Sequence, residues 1–204
     1  MVRCKRREFF AKAGGLFGAA ALGGYVPGCT PKASTEKTGE SKQSQTPGQW
    51  NGFTYAMCNE SLQDHPWAKQ CEVIGNAGYK GVEIASFTLV KQFGVKGVQD
   101  IPAEKRKEMR KAMSDAGIRC AGLHWLLAPP PEGLHFTTPD NTVRSHTVDY
   151  LKKLIDFCGD LGGEPMIFGS PKQRNTINIS VEEANKHFAD GLAAVADHAQ
   201  ARKV

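Results

Sequence analysis

A few side chains in this sequence pair a reactive type with a position at or just beyond a short apolar run. Glu83 interrupts Gly81-Val82-Glu83-Ile84-Ala85, and His124 follows Cys120-Ala121-Gly122-Leu123. A carboxylate inside an apolar run must be paired or must face an opening, because an unpaired buried charge is costly. A neutral imidazole at the end of such a run can hydrogen-bond a hydroxyl or assist proton transfer. Glu83 and His124 are therefore the candidate catalytic residues; the competing readings are a structural ion pair and a satisfied core histidine. Glu60 follows the first apolar run, where a solvated loop carboxylate is the simpler reading. Trp125 offers an aromatic face for a ligand, or a packing surface under the loop that follows. Ser170, Lys172 and Arg174 follow the fourth run. A hydroxyl and two cations suit a phosphate or a carboxylate, or else a solvated loop.

The segments around these residues alternate in period. Phe53–Cys58, Gly81–Ala85, the run from Cys120 into Leu127, and Pro165–Gly169 read as short apolar strands. Between them lie helical patterns. Asp64 and Pro66 open one with Trp67, Cys71, Ile74 and Gly78 on one face, and Asn76-Ala77-Gly78 stops it. Asp100 and Pro102 open a second, with Met109, Ala112, Met113 and Ala116 on one side. A third starts near Asn141, buries Val143, Thr147, Val148, Leu151, Leu154, Ile155 and Cys158, and ends at Gly162-Gly163. Ser180-Val181-Glu182-Glu183 is a capping box that starts a fourth, carrying Ala184, Phe188, Leu192, Val195 and Ala199. The order β-α-β-α-β-α-β-α predicts an α/β fold, a parallel sheet with helices packed outside it. Right-handed crossovers allow either a barrel or an open doubly wound sheet. No glycine-rich nucleotide-binding motif follows a strand, which weakens the second option.

Three segments carry a resemblance. Gly75-Asn76-Ala77-Gly78-Tyr79-Lys80-Gly81-Val82-Glu83-Ile84 resembles the turn and second strand of the xylose isomerase-like barrels. Ala121-Gly122-Leu123-His124 resembles the third strand of the sugar phosphate isomerase/epimerase family, and Ile167-Phe168-Gly169-Ser170-Pro171-Lys172-Gln173-Arg174 its fourth-strand exit. The resemblance covers about residues 50–204 and implies a (β/α)₈ TIM barrel of which four βα units, the N-terminal half, are present. It implies a sugar isomerase or epimerase working by metal-assisted proton transfer through an enediolate. His124 and Glu83 would then be catalytic. Trp125, Ser170, Lys172 and Arg174 would face the small-molecule sugar.

The divalent metal of that family (Mn, Mg or Zn) is held by two Glu, one Asp and one His on strands from the fifth onward. No metal ligand is carried over onto this chain, and none is expected for the chain alone beyond a minor option at His124. A barrel of this kind usually runs to about 250 residues. The expectation is a fragment without turnover of its own, with two associating half-barrels as the other possibility. The alternative function is a membrane-tethered, non-catalytic carbohydrate-binding module. A relationship to abasic-site endonucleases is a weaker reading.

The remaining sequence bears on location. Arg3, Lys5, Arg6, Arg7 and Lys12 against Glu8 give residues 1–28 a net +4 out of +5 for the whole chain, which leaves +1 for the rest. The basic balance thus belongs to the first segment and gives no reason to expect nucleic-acid binding. A positive start followed by an apolar run to Val26 has the layout of a signal peptide. Its paired arginines resemble a twin-arginine signal, with a general secretory signal as the alternative. Val26-Pro27-Gly28-Cys29 resembles a lipobox, which makes Cys29 a candidate lipid anchor and the protein an exported, periplasmic or extracytoplasmic one. Residues 1–29 are thus read as signal, 30–49 as a polar flexible linker and 50–204 as the barrel half. Cys58, Cys71, Cys120 and Cys158 show no metal-type spacing and read as small buried apolar residues. The oligomeric state is not legible.

Overall fold

A computed structural model describes residues 53–204; the expected signal, the candidate anchor Cys29 and the expected linker lie outside the described residues. Strands β1 (Ala56–Cys58), β2 (Gly81–Ala85), β3 (Arg119–His124) and β4 (Met166–Ile167) form one parallel sheet in the order β1-β2-β3-β4. Every neighbour in sequence is a neighbour in space, with no reversal of strand order. A doubly wound sheet reverses its order at a switch point, whereas a barrel does not, so this order selects the barrel option. The α/β reading of the sequence holds, and the arrangement is that of a partial TIM barrel.

Helices α1 (Trp67–Asn76), α2 (Ser86–Phe93), α3 (Ala103–Asp115), α4 (Asn141–Leu161) and α5 (Val181–Arg202) connect and follow the strands. The core lies between sheet and helices. Val82, Ile84 and Leu123 are fully buried there with Ile74, Met109, Met113, Leu154 and Cys158. Ser180 Oγ accepts from Glu183 N ahead of α5 as expected, and Asp140, which the sequence reading did not single out, accepts from the Thr142 and Val143 N–H groups ahead of α4. Helices α1 and α3 start after Pro66 and Pro102 without a side-chain cap from Asp64 or Asp100.

Several elements differ from the sequence reading. Strand β1 begins at Ala56 rather than Phe53, with Phe53 and Tyr55 largely exposed, because register with β2 starts only at Ala56 opposite Gly81. Strand β4 is Met166–Ile167 rather than Pro165–Gly169, since only Leu123 and His124 of β3 reach it. Helix α2 was not expected. Its Ser-Phe-Thr-Leu-Val start looks strand-like, yet five of its residues are buried, so packing overrides propensity. In α5, Leu192 is 40% exposed and Gly191 takes the inner position. A Cβ on Gly191 would stand 2.5 Å from the Phe136 ring, so only glycine fits there.

The feature that decides side-chain direction is a slip between β2 and β3. Val82 pairs with Cys120, but Glu83 pairs with Gly122, which leaves Ala121 as an extra residue on β3. Side chains alternate along a strand, so one inserted residue moves everything beyond it to the opposite face. With the slip, Leu123 stays level with buried Ile84 on the helix side. His124 stays level with Ala85, on the same face as Glu83. Without it, His124 would turn into the helix-side core.

Gly122, at this bulge, has φ of 149°. A Cβ there would stand 2.2 Å from the Pro165 carbonyl oxygen. Gly122→Ala is therefore expected to destabilise the fold by about 2–4 kcal/mol through strain and overpacking. Urea unfolding of the two proteins measures this, and a loss below about 1 kcal/mol, the size of an ordinary substitution, contradicts the close approach.

Candidate functional site

The strand exits form two levels on the inner face of the sheet. At the lower level Cys58, Glu83 and Gly122 lie in register across β1, β2 and β3. One level up, His124 lies beside Ala85 on β3, and Glu60 occupies the turn that extends β1, a short 3₁₀ helix over Asn59–Leu62. Gly122 has no side chain, which lets the Pro165 backbone approach the strand at this level.

His124 is the centre of the group. It is 9% exposed, while the side chains of Glu60 and Glu83 remain 37% and 31% exposed. Its Nε2 lies 3.4 Å from Cys58 Sγ and 3.9 Å from Glu60 Oε2. Its Nδ1 is buried without a hydrogen-bond partner, with Glu83 Oε2 standing 3.5 Å away. One imidazole thus has a carboxylate facing each ring nitrogen. No lysine or arginine among the described residues forms an ion pair with either carboxylate.

Cys58 departs from the sequence reading. Cys71, Cys120 and Cys158 are buried in the core, and burial pushes their thiols up to about 12, 11 and 12. Cys58 is only partly buried and borders the site. Burial, then the Glu60 and Glu83 carboxylates, push its thiol up, against the backbone N–H groups of Glu60 and Ser61. The Glu60 N–H donates to Cys58 Sγ over 3.4 Å. Spacing rules miss Cys58, because the imidazole it meets, His124, lies 66 residues away on β3.

Asn59 is a second residue the sequence did not single out. It is fully buried between Cys58 and Glu60 and saturates its side chain. Its Oδ1 accepts from Ala85 N at 2.8 Å, and its Nδ2 donates to Thr88 Oγ1 at 2.8 Å and Gln70 Oε1 at 3.3 Å. Thr88 Oγ1 donates in turn to the Ala85 carbonyl at 2.7 Å. The exits of β1 and β2 are therefore locked together, which fixes Glu60 relative to His124. The signal that was available is an amide next to Glu60 at a strand exit, where backbone groups leave the ladder and need partners.

Trp125 follows His124 with φ of 50°, a left-handed conformation that costs a bulky residue energy. Its indole stacks on Phe87 at 6.1 Å and lies against Gly169, where a Cβ would meet it at 2.7 Å. It stays 45% exposed, so an aromatic face remains open. Ser170 is 2% exposed and accepts from Leu127 N at 2.9 Å, so its hydroxyl holds the β3 exit to the β4 exit. Lys172 and Arg174 lie exposed in and just after the turn Pro171–Gln173, and neither forms an ion pair among the described residues. The loop after Trp125 is anchored rather than free-standing. Phe136 is buried among Phe168 and Phe188, and its N–H donates to the Gln173 carbonyl at 2.6 Å. His135 Nε2 meets Asn175 Oδ1 at 2.8 Å, another tie between the two loops.

Asn59→Ala leaves the Ala85 N–H without its buried acceptor and empties two further hydrogen bonds. A loss of about 1–3 kcal/mol is expected in denaturant unfolding. Native stability in the variant contradicts the bracing role.

Comparison with known proteins follows the geometry. Residues 71–204 match the xylose isomerase-like TIM barrel family. No curated protein matches the sequence. A D-psicose 3-epimerase crystallised with D-fructose superposes with a TM-score of 0.60 at 10% identity, over 74% of this chain and 50% of its own. D-psicose 3-epimerase from Clostridium cellulolyticum H10, with D-tagatose, gives 0.58 at 15% identity, over 74% and 50%. A 3-keto-D-glucoside 4-epimerase from E. coli gives 0.53 at 14% identity, over 74% and 53%. At these identities the likeness is one of fold, and the chain spans about half the length of each of these proteins.

Proposed function

This chain belongs to the xylose isomerase-like TIM barrel family, and from that premise we propose that it supplies the sugar-facing half of an isomerase or epimerase site. The observation that carries the reading is the imidazole of His124 between the carboxylates of Glu60 and Glu83, at the C-terminal ends of parallel strands. In barrels of this kind active sites form at those ends. Sugar-bound epimerases of the same fold support the substrate class.

Each residue has a role that its position allows. Glu83, partly exposed, takes and returns the proton next to a sugar carbonyl. His124 hydrogen-bonds a hydroxyl of the same sugar and is oriented by Glu83. The open face of Trp125 stacks on the apolar face of the ring. Lys172 and Arg174 hold a phosphate or carboxylate substituent. Ser170 contributes by holding the loops rather than by touching the sugar.

A divalent metal, when bound, would polarise the carbonyl and stabilise the enediolate. The resemblance places the two Glu, one Asp and one His that hold such a metal on later strands, and the roles above do not depend on them.

Calorimetric titration with ketoses and ketose phosphates tests the site. Binding is expected, weakened about tenfold or more in Trp125→Ala, with Lys172→Ala and Arg174→Ala affecting only the phosphorylated ligands. Binding that none of these substitutions changes sinks the reading. Solvent-deuterium uptake next to the sugar carbonyl separates the enzyme from a tethered carbohydrate-binding module. Uptake that falls about 10²-fold or more in Glu83→Gln identifies proton transfer, and sugar binding with no uptake identifies the module.

Export and lipid anchoring form part of the same proposal, supported by the Arg6-Arg7 signal and the Val26–Cys29 sequence. Cys29→Ser is expected to move the protein from the membrane to the soluble fraction, since acyl chains hold by buried CH₂ groups. Unchanged membrane retention removes the anchor from the proposal.

A further inference from the structure

Cys58 Sγ, a Glu60 carboxylate oxygen and a His124 ring nitrogen all lie within 4.8 Å of one another. Zinc bonds of about 2.0–2.3 Å at tetrahedral angles hold ligand atoms about 3.3–3.6 Å apart. The Sγ to Nε2 separation is 3.4 Å and the Nε2 to Oε2 separation is 3.9 Å, so the three donors need only small side-chain adjustments. A hydrogen bond to sulfur is a weak use for a buried imidazole, and Glu60 is too far to replace it. The charge pattern points the same way. A thiol and two carboxylates surround one ring, and no lysine or arginine among the described residues pairs with them.

We propose that Cys58, Glu60 and His124 bind a thiophilic divalent cation of the zinc class, with Glu83 holding the far side of the imidazole. The cation binds Nε2, which fixes the proton on Nδ1. That orphaned Nδ1–H then donates to Glu83 Oε2, now 3.5 Å away. A carboxylate behind a ligating histidine sets its tautomer and raises its basicity. The Glu60 N–H at Cys58 Sγ stabilises the thiolate form. A sulfur, a nitrogen and an oxygen donor select zinc-like ions over magnesium or calcium, which take oxygen ligands. Three protein ligands leave a fourth position on the exposed side of Glu60 and Glu83, as catalytic zinc sites do.

The inference rests on the proposed function and deepens the reading of the same site. It makes His124 a ligand, gives the hydroxyl contact to the open metal position, and leaves the second oxygen of Glu83 for proton transfer.

The test uses the full chain with Cys4→Ser and Cys29→Ser, stripped by chelator and titrated with Co²⁺. In that background Cys58 is the one cysteine outside the buried core among the described residues. One cobalt per chain is expected, with a thiolate-to-cobalt charge-transfer band that Zn²⁺ displaces and Mg²⁺ does not. Cys58→Ser should abolish the band, and Glu83→Gln should weaken binding about 10–100-fold. Where Cys58→Ser does not fold, the Glu83→Gln shift and protection of Cys58 from iodoacetamide by Zn²⁺ give the same answer. A folded chain without the band, or a band undiminished in Cys58→Ser, overturns the site. Ketose titration of the metal-free chain is run in parallel. Sugar binding without cobalt binding removes the metal and keeps the proposed function, and cobalt binding without sugar binding does the reverse.

Discussion

One extra residue in β3 determines whether this molecule has a site at all. With Ala121 bulged out, Glu83 meets Gly122 and His124 meets Ala85, so carboxylate and imidazole share the inner face. The same slip keeps Leu123 level with Ile84, inside the helix-side core. Both hydrophobic and polar side chains beyond the bulge therefore depend on it. Gly122 permits it twice over, by its left-handed φ and by its contact with the Pro165 carbonyl, which no Cβ could share. A bulge re-aims the side chains beyond it, and here it re-aims the imidazole at the centre of the candidate site.

A re-aimed side chain is useful only if its partners are held. Cys58 ends the edge strand β1, three residues long and paired only with β2, and Glu60 lies in the turn that follows it. Such a strand is a weak platform on its own ladder. Asn59 supplies the stiffness by bonding Ala85, Thr88 and Gln70 in a fully buried network. On the other side, Ser170 ties the β4 exit to Leu127, and Phe136 seats the long β3 loop among Phe168 and Phe188. The strained backbone of Trp125 is held open between Phe87 and Gly169 by the same packing.

The repeating strand and helix pattern was legible because burial leaves a period in the sequence, which also placed the start near Asn141, and the start at Ser180 was legible because caps use few residue types. His124 and Glu83 were legible because polar residues in apolar runs demand a reason. Helix α2 was not, since its start, residues 86–90, is an unbroken buried run directly continuing strand β2, with no proline or side-chain cap to mark the boundary. Strand ends were misjudged at β1 and β4, where pairing partners, not residue types, set the length. Cys58 and Asn59 were missed because their roles arise from contacts to β3 and α2, which no local spacing encodes.

Ser170 shows why residue type and position together still underdetermine a role. A serine after a barrel strand reads as a ligand contact, yet burial commits its hydroxyl to Leu127 N. Cys58 is the reverse case, a residue type usually buried and inert that stays half open beside two carboxylates and an imidazole. What separates them is whether the polar atom has a fixed partner inside the fold. Ser170 Oγ has one; His124 Nδ1 has none, and Cys58 Sγ has only a backbone N–H and the imidazole. His124 Nδ1 and Cys58 Sγ lie together at the ends of β1 and β3, beside the partly exposed carboxylates of Glu60 and Glu83. Their mix of sulfur, nitrogen and carboxylate oxygen is the donor set on which the proposed cation site rests.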